Sequence, residues 1–238
     1  VVLLAGEPGV GKSTLLLEAA SAWAKGGRRT LYVSAEESAA QVRRRADRTR
    51  ALAPELYLTA ERDLGAVLGH IEQLSPTLLV LDSVQTVSAS GTDGVAGGVT
   101  QIREVTNALV RVAKRRAMSV LIIGHVTKEG SIAGPRTLEH LVDVVLSFEG
   151  DRHSGLRMVR ATKNRFGPAD EVGCFEMTER GIEQVADPSG LFTTGDTAQA
   201  PGTCVTVTLE GRRPLLAEVQ ALVTPSATQV PRRATHGV

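Results

Sequence analysis

A glycine-rich segment near the start of the chain limits the folds that this sequence can adopt. Residues 6–14 read Gly-Glu-Pro-Gly-Val-Gly-Lys-Ser-Thr. They fit the pattern G-x-x-x-x-G-K-[ST], which binds phosphate where it joins a strand to a helix. An apolar run, Val1 to Ala5, comes directly before the segment, and a helical pattern, Ser13 to Lys25, comes directly after it. The segment therefore predicts a phosphate-binding loop (P-loop) rather than a glycine-rich turn that matches by chance.

Each residue type in this loop has a role in binding a nucleoside triphosphate with Mg²⁺. The glycines let backbone N–H groups turn toward the phosphates, and the helix N-terminus adds its positive end. Lys12 is expected to reach the β- and γ-phosphates, and the Ser13 hydroxyl to hold Mg²⁺. The predicted ATP-binding residues are Gly6, Glu7, Pro8, Gly9, Val10, Gly11, Lys12, Ser13 and Thr14.

The rest of the chain alternates short apolar runs with helical patterns, which is typical of βαβ units on a parallel sheet. Further strands are predicted at 30–34, 78–81, 120–124 and 144–148, and further helices at 39–52, 64–74 and 99–117. From residue 156 onward, the segments 157–162, 171–177 and 181–185 are typical of antiparallel strands. We expect an α/β fold with a mainly parallel sheet flanked by helices and an antiparallel extension.

The domain organisation is predicted from composition along the chain. Residues 1–186 are expected to form one domain, and residues 187–202, rich in Pro, Gly, Asp and Thr, a linker. Residues 203–238 contain a possible hairpin, which is too little chain to bury a core on its own. Because the chain begins inside an apolar strand without Met, we interpret it as a piece of a longer protein.

Composition excludes several classes of protein. The 27 basic and 26 acidic residues give a net charge of +1, so DNA contact requires local patches rather than an overall field. The two cysteines, Cys174 and Cys204, form no CxxC pair, which argues against a zinc site or a disulfide scaffold in this fragment. With no signal sequence and no apolar run of about 18 residues, we expect a cytoplasmic protein without membrane contact.

Polar residues follow three of the predicted strands. Asp82 ends the apolar run 78–81, where a Walker-B acid reaches Mg²⁺ through water. Glu36 and Glu37 follow the strand 30–34. One of them could polarise an attacking water, or both could be acids at the start of a helix. His125 follows the strand 120–124 and is placed to sense a γ-phosphate, although a lone histidine is often structural.

Two loops and one basic turn are further candidates. The glycine-rich segment Ser88 to Gly98 has no basic residue and is either a surface loop or a DNA contact. The long segment Thr127 to Arg136 carries two basic residues, and loops of this length are usually functional. Lys163 and Arg165 lie between two predicted strands, either as a solvated turn or as cations presented to a neighbouring subunit's phosphate. The basic runs at 43–50 and 114–116 fit solvated helix faces better than nucleic-acid contacts.

Taken in order, these segments resemble the ATPase core of the RadA (Sms) family of bacterial DNA-repair proteins, within the RecA-like ATPase superfamily. The resemblance covers the chain from Leu4 to Val223. Its most specific segments are 6–14, 32–38, 81–86, 124–130, 138–140, 148–152 and the Lys-Asn-Arg-Phe-Gly motif at 163–167.

The resemblance implies roles that spacing alone does not. By the resemblance, Glu36 rather than Glu37 is the catalytic carboxylate, and His125 couples the γ-phosphate to the loop that follows it. Segments Ser88 to Gly98 and Lys128 to Arg136 become candidate DNA loops around a central channel. Lys163 and Arg165 would act on the neighbour's ATP in a homo-oligomer, expected to be a hexameric ring. The implied catalytic set is Lys12, Glu36, Asp82, His125, Lys163 and Arg165.

The implied function is a Mg²⁺-dependent, DNA-dependent ATPase of recombinational repair. It would bind single-stranded or branched DNA and promote branch migration or unwinding. A recombinase is a candidate partner. Residues 203–238 would begin a Lon-protease-like domain without peptidase activity. Two alternatives stay open: a replicative helicase of the DnaB type, and an ATP-dependent interaction switch resembling KaiC, for which DNA is irrelevant.

Overall fold

The computed structural model describes residues 1–125, 136–150, 155–186, 201–225 and 234–235. It divides the chain into two units, Val1–Ala186 and Asp187–Val238. The expected DNA loop Lys128 to Arg136 lies outside the described residues up to position 135. Residues 187–200 of the expected linker also lie outside them.

A nine-stranded sheet forms the framework of the first unit. Its strands follow one another in space as β3-β2-β4-β5-β1-β6-β7-β8-β9. The pairs from β3 to β6 are parallel, and those from β6 to β9 are antiparallel. The predicted parallel sheet with an antiparallel extension is therefore confirmed. The strands are β1 Val2–Gly6, β2 Thr30–Ser34, β3 Leu56–Ala60, β4 Leu78–Asp82, β5 Ser119–His125, β6 Val144–Gly150, β7 Leu156–Asn164, β8 Val172–Thr178 and β9 Gly181–Gln184.

Helices cover both faces of this sheet. On one face, Leu17 of α1 and Val42 of α2 pack in a cluster with Ile123 of β5. On the other face, Ile71 of α3 and Leu109 of α4 pack in a second cluster. Strands β2 and β4 are buried along their whole length, which explains their continuous apolar sequences. The helices are α1 Lys12–Lys25, α2 Ala39–Arg48, α3 Leu64–Leu74, α4 Val99–Arg116 and α5 Arg136–Glu139.

Two features of the region after α2 differ from the sequence prediction. The helix ends at Arg48 rather than at residue 52, because Thr49 caps it and Arg50 adopts a left-handed backbone with φ 54°. The chain then forms β3, which was not predicted. This strand lies at the edge of the sheet and is only half-buried, so its sequence lacks the continuous apolar run of the central strands.

The second unit contains one hairpin in its described part, formed by β10 Thr203–Glu210 and β11 Arg213–Gln220. The predicted hairpin is confirmed. Val207 and Leu209 are more than half exposed on it, as expected for two strands without a further layer to cover them. None of the helices in the described ranges is long and apolar enough to cross a membrane.

The buried side chain of Gln101, at the start of α4, anchors the glycine-rich loop Ser88 to Gly98. Gln101 is 3% exposed, and its Oε1 accepts a hydrogen bond from the Ala89 backbone N–H at 2.8 Å. Its Nε2 donates to the carbonyl oxygens of Thr92 at 2.5 Å and of Gly94 at 3.3 Å. The amide thus satisfies backbone groups that the loop would otherwise bury without partners.

We expect Gln101→Ala to loosen this loop while leaving the sheet intact. Loss of the buried amide leaves backbone groups unsatisfied, which should cost about 1–3 kcal/mol of unfolding free energy. Hydrogen exchange should show faster exchange at the Ala89 amide, and chemical denaturation should show the lower stability. Gln73→Ala, at an exposed position of α3, is the matched control and should change neither. Unchanged exchange at Ala89 in Q101A would contradict the anchoring role.

Candidate active site

The P-loop connects β1 to α1, and two of its glycines are required by the backbone. A Cβ atom on Gly6 would lie 2.3 Å from the carbonyl oxygen of Phe148 on β6, a separation that no side chain can adopt. Gly11 precedes α1 with φ 107°, in the left-handed region that favours glycine. A Cβ there would also lie 3.0 Å from Met177 Sδ. The spacing of the motif therefore follows from the path of the strand into the helix.

Lys12 is buried at the first position of α1, with 4% of its surface exposed. Its Nζ donates hydrogen bonds to the carbonyl oxygens of Gly6 at 2.8 Å and of Glu7 at 2.7 Å. Burial lowers the pKa of Lys12 to about 8, and the negative charges of Asp82, Glu36 and Glu7 partly oppose this shift. The loop carbonyls and nearby acids thus hold a cationic group beside the glycine backbone.

Asp82, the last residue of β4, places a second buried charge at the same edge of the sheet. It is 3% exposed, and its Oδ2 accepts a hydrogen bond from the Tyr32 hydroxyl at 2.7 Å. Its Oδ1 is buried and has no hydrogen-bond partner among the described residues. A buried carboxylate oxygen requires a donor or a cation, and a water bound to Mg²⁺ is such a donor. The residues present therefore fit a Mg²⁺ site at Asp82 and Ser13.

Glu36 follows β2 and receives two hydrogen bonds on one oxygen. His125 Nε2 lies 2.8 Å from Oε1, and the Ser83 hydroxyl donates to the same atom at 2.5 Å. The bond with His125 is the largest cause that lowers the pKa of Glu36 to about 2, with Ser83 adding to it against the opposing effect of burial. Because the carboxylate is then ionised, Nε2 of His125 must carry the proton. Oε2 is the oxygen that remains to accept a hydrogen bond from water.

Glu37 has a different partner from its neighbour in sequence. Its carboxylate forms an ion pair with Arg45 on α2, with Nη2 2.5 Å from Oε2. The structure thus places Glu37 with α2 and Glu36 with Ser83 and His125. This arrangement favours Glu36 as the acid that meets a substrate, although its catalytic role stays a prediction.

The parallel register brings four of the predicted catalytic residues to one edge. Ser34 at the end of β2 pairs with Asp82, and Gly6 at the end of β1 pairs with His125. The charges of Asp82 and Glu36 both act on Lys12, where they oppose the lowering of its pKa. Lys12, Glu36, Asp82 and His125 therefore lie together at the carboxyl ends of β1, β2, β4 and β5.

Lys163 and Arg165 lie at the opposite end of the strands, where β1 and β6 begin. Lys163 pairs with Val145 near the start of β6, and the start of β6 pairs with Val2 at the start of β1. Val2 and Gly6 are separated by four residue steps, about 13 Å in a parallel strand. The structure therefore does not bring these two cations to the P-loop of the same chain.

Local contacts hold both cations against the end of α5 and the segment that follows it. The Lys163 ammonium donates to the carbonyl oxygens of Glu139 and Val142. Arg165 Nη1 donates to Asp143 Oδ1 at 3.0 Å, and the Arg165 backbone N–H donates to the Asp143 carbonyl oxygen at 3.1 Å. Phe166, next in the motif, is highly exposed. The motif is thus an ordered turn with a solvent-facing aromatic side chain.

Three residues at the site were not identified from the sequence. Tyr32 contacts Asp82, Ser83 contacts Glu36, and Arg157 Nε on β7 donates to the Val10 carbonyl oxygen at 3.1 Å. A tyrosine within a buried strand signals a hidden polar partner, because its hydroxyl needs a hydrogen bond. The sequence offers no comparable signal for Arg157, which reaches the P-loop across 147 residues.

Comparison with known proteins identifies relatives that match the whole chain. DNA repair protein RadA of Mycolicibacterium smegmatis is 60% identical over 242 residues, covering 100% of this chain and 52% of the relative. The RadA proteins of Streptococcus pneumoniae and Bacillus subtilis are 48% and 45% identical over 238 residues, again covering 100% of this chain. The match covers 56% of the Streptococcus pneumoniae protein and 52% of the Bacillus subtilis protein. The chain therefore spans about half the length of the curated relatives that it matches.

A family model and a solved structure agree with the fold. The model of the AAA domain family matches residues 1–131. A solved ATPase domain superposes with a TM-score of 0.64 at 13% sequence identity, covering 75% of this chain and 81% of that domain. At this identity the superposition establishes the fold, and it confirms the predicted RecA-like ATPase architecture.

We expect His125→Ala to raise the pKa of Glu36 from about 2 toward its usual value of 4.5, because the variant removes the hydrogen bond that lowers this pKa most. A carboxyl-carbon NMR titration, assigned with Glu36→Gln, would measure the change. His70→Ala on α3 is the control and should leave the titration of Glu36 unaltered. An unchanged pKa in H125A would mean that Ser83 and Lys12 are sufficient to hold the carboxylate ionised.

Proposed function

We propose that this chain, which belongs to the AAA domain family, is an ATP hydrolase that acts in DNA repair. Its similarity over its whole length to bacterial DNA repair protein RadA and its ATPase-domain fold support this proposal. The observation that carries it is the convergence of Lys12, Glu36, Asp82 and His125 at one edge of the sheet. The finer proposal is a motor that promotes branch migration or unwinding of recombination intermediates.

The P-loop and β4 would bind ATP together with Mg²⁺. Backbone N–H groups of the P-loop and the Lys12 ammonium would bind the phosphates. Ser13 and the unpartnered Oδ1 of Asp82 would hold the metal and its water. When bound, Mg²⁺ neutralises charge on the phosphate oxygens. Lys12 supplies further positive charge from a position fixed by the carbonyls of Gly6 and Glu7.

Glu36 would orient and polarise the attacking water. A carboxylate with a pKa of about 2 is ionised throughout the neutral pH range, so the group is ready to accept a hydrogen bond from water. Ser83 and His125 both hold Oε1, which fixes the carboxylate and leaves Oε2 for the water. His125 is also the last residue before the segment 126–135, which suits the proposed coupling of the nucleotide to a DNA loop.

Lys163 and Arg165 would act on the nucleotide of a neighbouring subunit. Their position at the edge opposite the P-loop argues against a role at the nucleotide of their own chain. The hydrogen bonds to Glu139, Val142 and Asp143 hold both cations at one end of the sheet. Action on a neighbour's nucleotide would require a homo-oligomer with ATP sites at its interfaces, and we propose a hexameric ring.

DNA would be bound by loops in the assembled ring. The loop Ser88 to Gly98 has no basic side chain, so a monomer is expected to bind DNA weakly through it. Gln101 bonds to Ala89 near the start of this loop and to Thr92 and Gly94 in its middle, which would give the loop a defined position for contact with single-stranded or branched DNA. The hairpin β10–β11 is proposed as the start of a Lon-protease-like domain without peptidase activity.

We expect ATP hydrolysis by this chain to increase several-fold when single-stranded DNA is added. A DNA motor couples ATP hydrolysis to DNA binding. Its affinity for DNA should increase with ATP and fall steeply with salt. Phosphate release with and without DNA measures the effect, and Lys12→Ala reports contaminating ATPase activity. Hydrolysis without any response to DNA would favour the alternative of an interaction switch.

We also expect inactive variants to complement each other when mixed. Lys12→Ala and Lys163→Ala should each reduce turnover by ~10³-fold, because the first removes a phosphate contact and the second removes the proposed contribution from the neighbour. In an equimolar mixture, about a quarter of interfaces would pair an intact P-loop with an intact Lys163 from the next subunit.

Turnover in that mixture should therefore return to about a quarter of the wild-type rate if the roles are as proposed. Lys114→Ala, at an exposed position of α4, is the control for loss of a lysine and should remain active. A mixture that stays as inactive as its components would contradict action between subunits.

A further inference from the structure

Tyr32 lies at the centre of β2 beneath the proposed metal site. Its residue exposure is 0%, and its ring belongs to the apolar cluster that includes Leu17 and Val80. The hydroxyl donates to Asp82 Oδ2 at 2.7 Å, and its oxygen lies 3.5 Å from the Ser13 carbonyl oxygen. One phenol hydroxyl therefore lies close to both residues proposed to hold Mg²⁺.

Packing alone does not account for the hydroxyl group. The surrounding cluster is apolar, and phenylalanine would fill nearly the same volume without a buried O–H to satisfy. The hydroxyl lies 2.7 Å from Asp82 Oδ2, and the phenol O–H donates this hydrogen bond because a carboxylate oxygen accepts it. The hydroxyl is therefore the donor to Asp82.

The hydrogen bond also distinguishes the two oxygens of Asp82. Oδ2 accepts from Tyr32, whereas Oδ1 has no hydrogen-bond partner among the described residues. A carboxylate held at one oxygen cannot rotate without breaking a buried hydrogen bond, which is costly in a site shielded from water. Which oxygen remains for a metal-bound water is thus fixed before any ligand arrives.

We infer that Tyr32 is a positioning residue for the Mg²⁺ site: its hydroxyl holds Asp82 Oδ2 and reserves Oδ1 for the metal and its water. The inference rests on the proposed function and deepens it, because it identifies the residue that orients Asp82 at the end of β4. Tyr32 does not touch the nucleotide in this scheme and acts through Asp82.

Tyr32→Phe tests the inference by removing the hydroxyl and keeping the ring. The binding of a fluorescent ADP analogue to this chain is measured in EDTA and across a Mg²⁺ titration. In EDTA, the variant and the wild type should bind alike. With Mg²⁺, the variant should lose about tenfold in affinity and need about tenfold more Mg²⁺ for half-saturation, as is typical when a partner of a metal ligand is removed.

Tyr57→Phe is the matched control, because the chain has only two tyrosines and Tyr57 is 42% exposed on the adjacent strand β3. It should match the wild type in both conditions. A Tyr32→Phe protein that melts at a lower temperature but responds to Mg²⁺ like the wild type would overturn the inference and leave only a structural role. A wild type whose nucleotide binding ignores Mg²⁺ would instead contradict the proposed function.

Two further measurements keep the test decisive. In an Asp82→Asn background, Tyr32→Phe should produce no additional loss of Mg²⁺-dependent binding, because its effect passes through the carboxylate. Full additivity would overturn the inference. If Tyr32→Phe does not fold, 3-fluorotyrosine incorporated into Tyr57→Phe labels Tyr32 alone. Its ¹⁹F resonance should shift when Mg²⁺ is added to the ADP complex, and an unmoved resonance would overturn the inference.

Discussion

Two buried groups of opposite charge, the Lys12 ammonium and the Asp82 carboxylate, organise the candidate site. Both are nearly inaccessible, and neither could be buried at this edge without the other or an equivalent partner. The loop carbonyls satisfy the ammonium, and the Tyr32 hydroxyl satisfies one oxygen of the carboxylate. The glycines at 6 and 11 let the loop backbone pass Phe148 and enter α1, and this path brings the carbonyls of Gly6 and Glu7 to the ammonium.

The sequence predicts those parts of the molecule that depend on local rules. The P-loop pattern places the strand-to-helix turn at Gly6 to Lys12, and the Gly6 contact with Phe148 shows why that glycine is required. The buried strands follow from continuous apolar runs. Strand β3 could not be predicted in the same way, because an edge strand covered on fewer sides carries no such run.

Contacts between distant residues determine the rest of the site. Glu36 and Glu37 are equivalent by local pattern, and only the approach of Ser83 and His125, which lie 47 and 89 residues away, separates their environments. Arg157 likewise contacts the P-loop only because β7 returns beside β6, which in turn pairs with β1. Such partners depend on the order of strands in space, which a single sequence does not specify residue by residue.

Strand β7 runs from the P-loop end of the sheet to the end that carries the basic turn at Lys163 and Arg165. Near its start, Arg157 contacts the Val10 carbonyl oxygen of the P-loop, and near its end Lys163 is held by the carbonyls after α5. Strand β7 pairs with β6 over residues 157–164 and with β8 over residues 156–160. The P-loop and the basic turn are therefore joined through one hydrogen-bonded strand. A change in the distance between them would have to break hydrogen bonds of β7 or the contacts of Arg157 and Lys163.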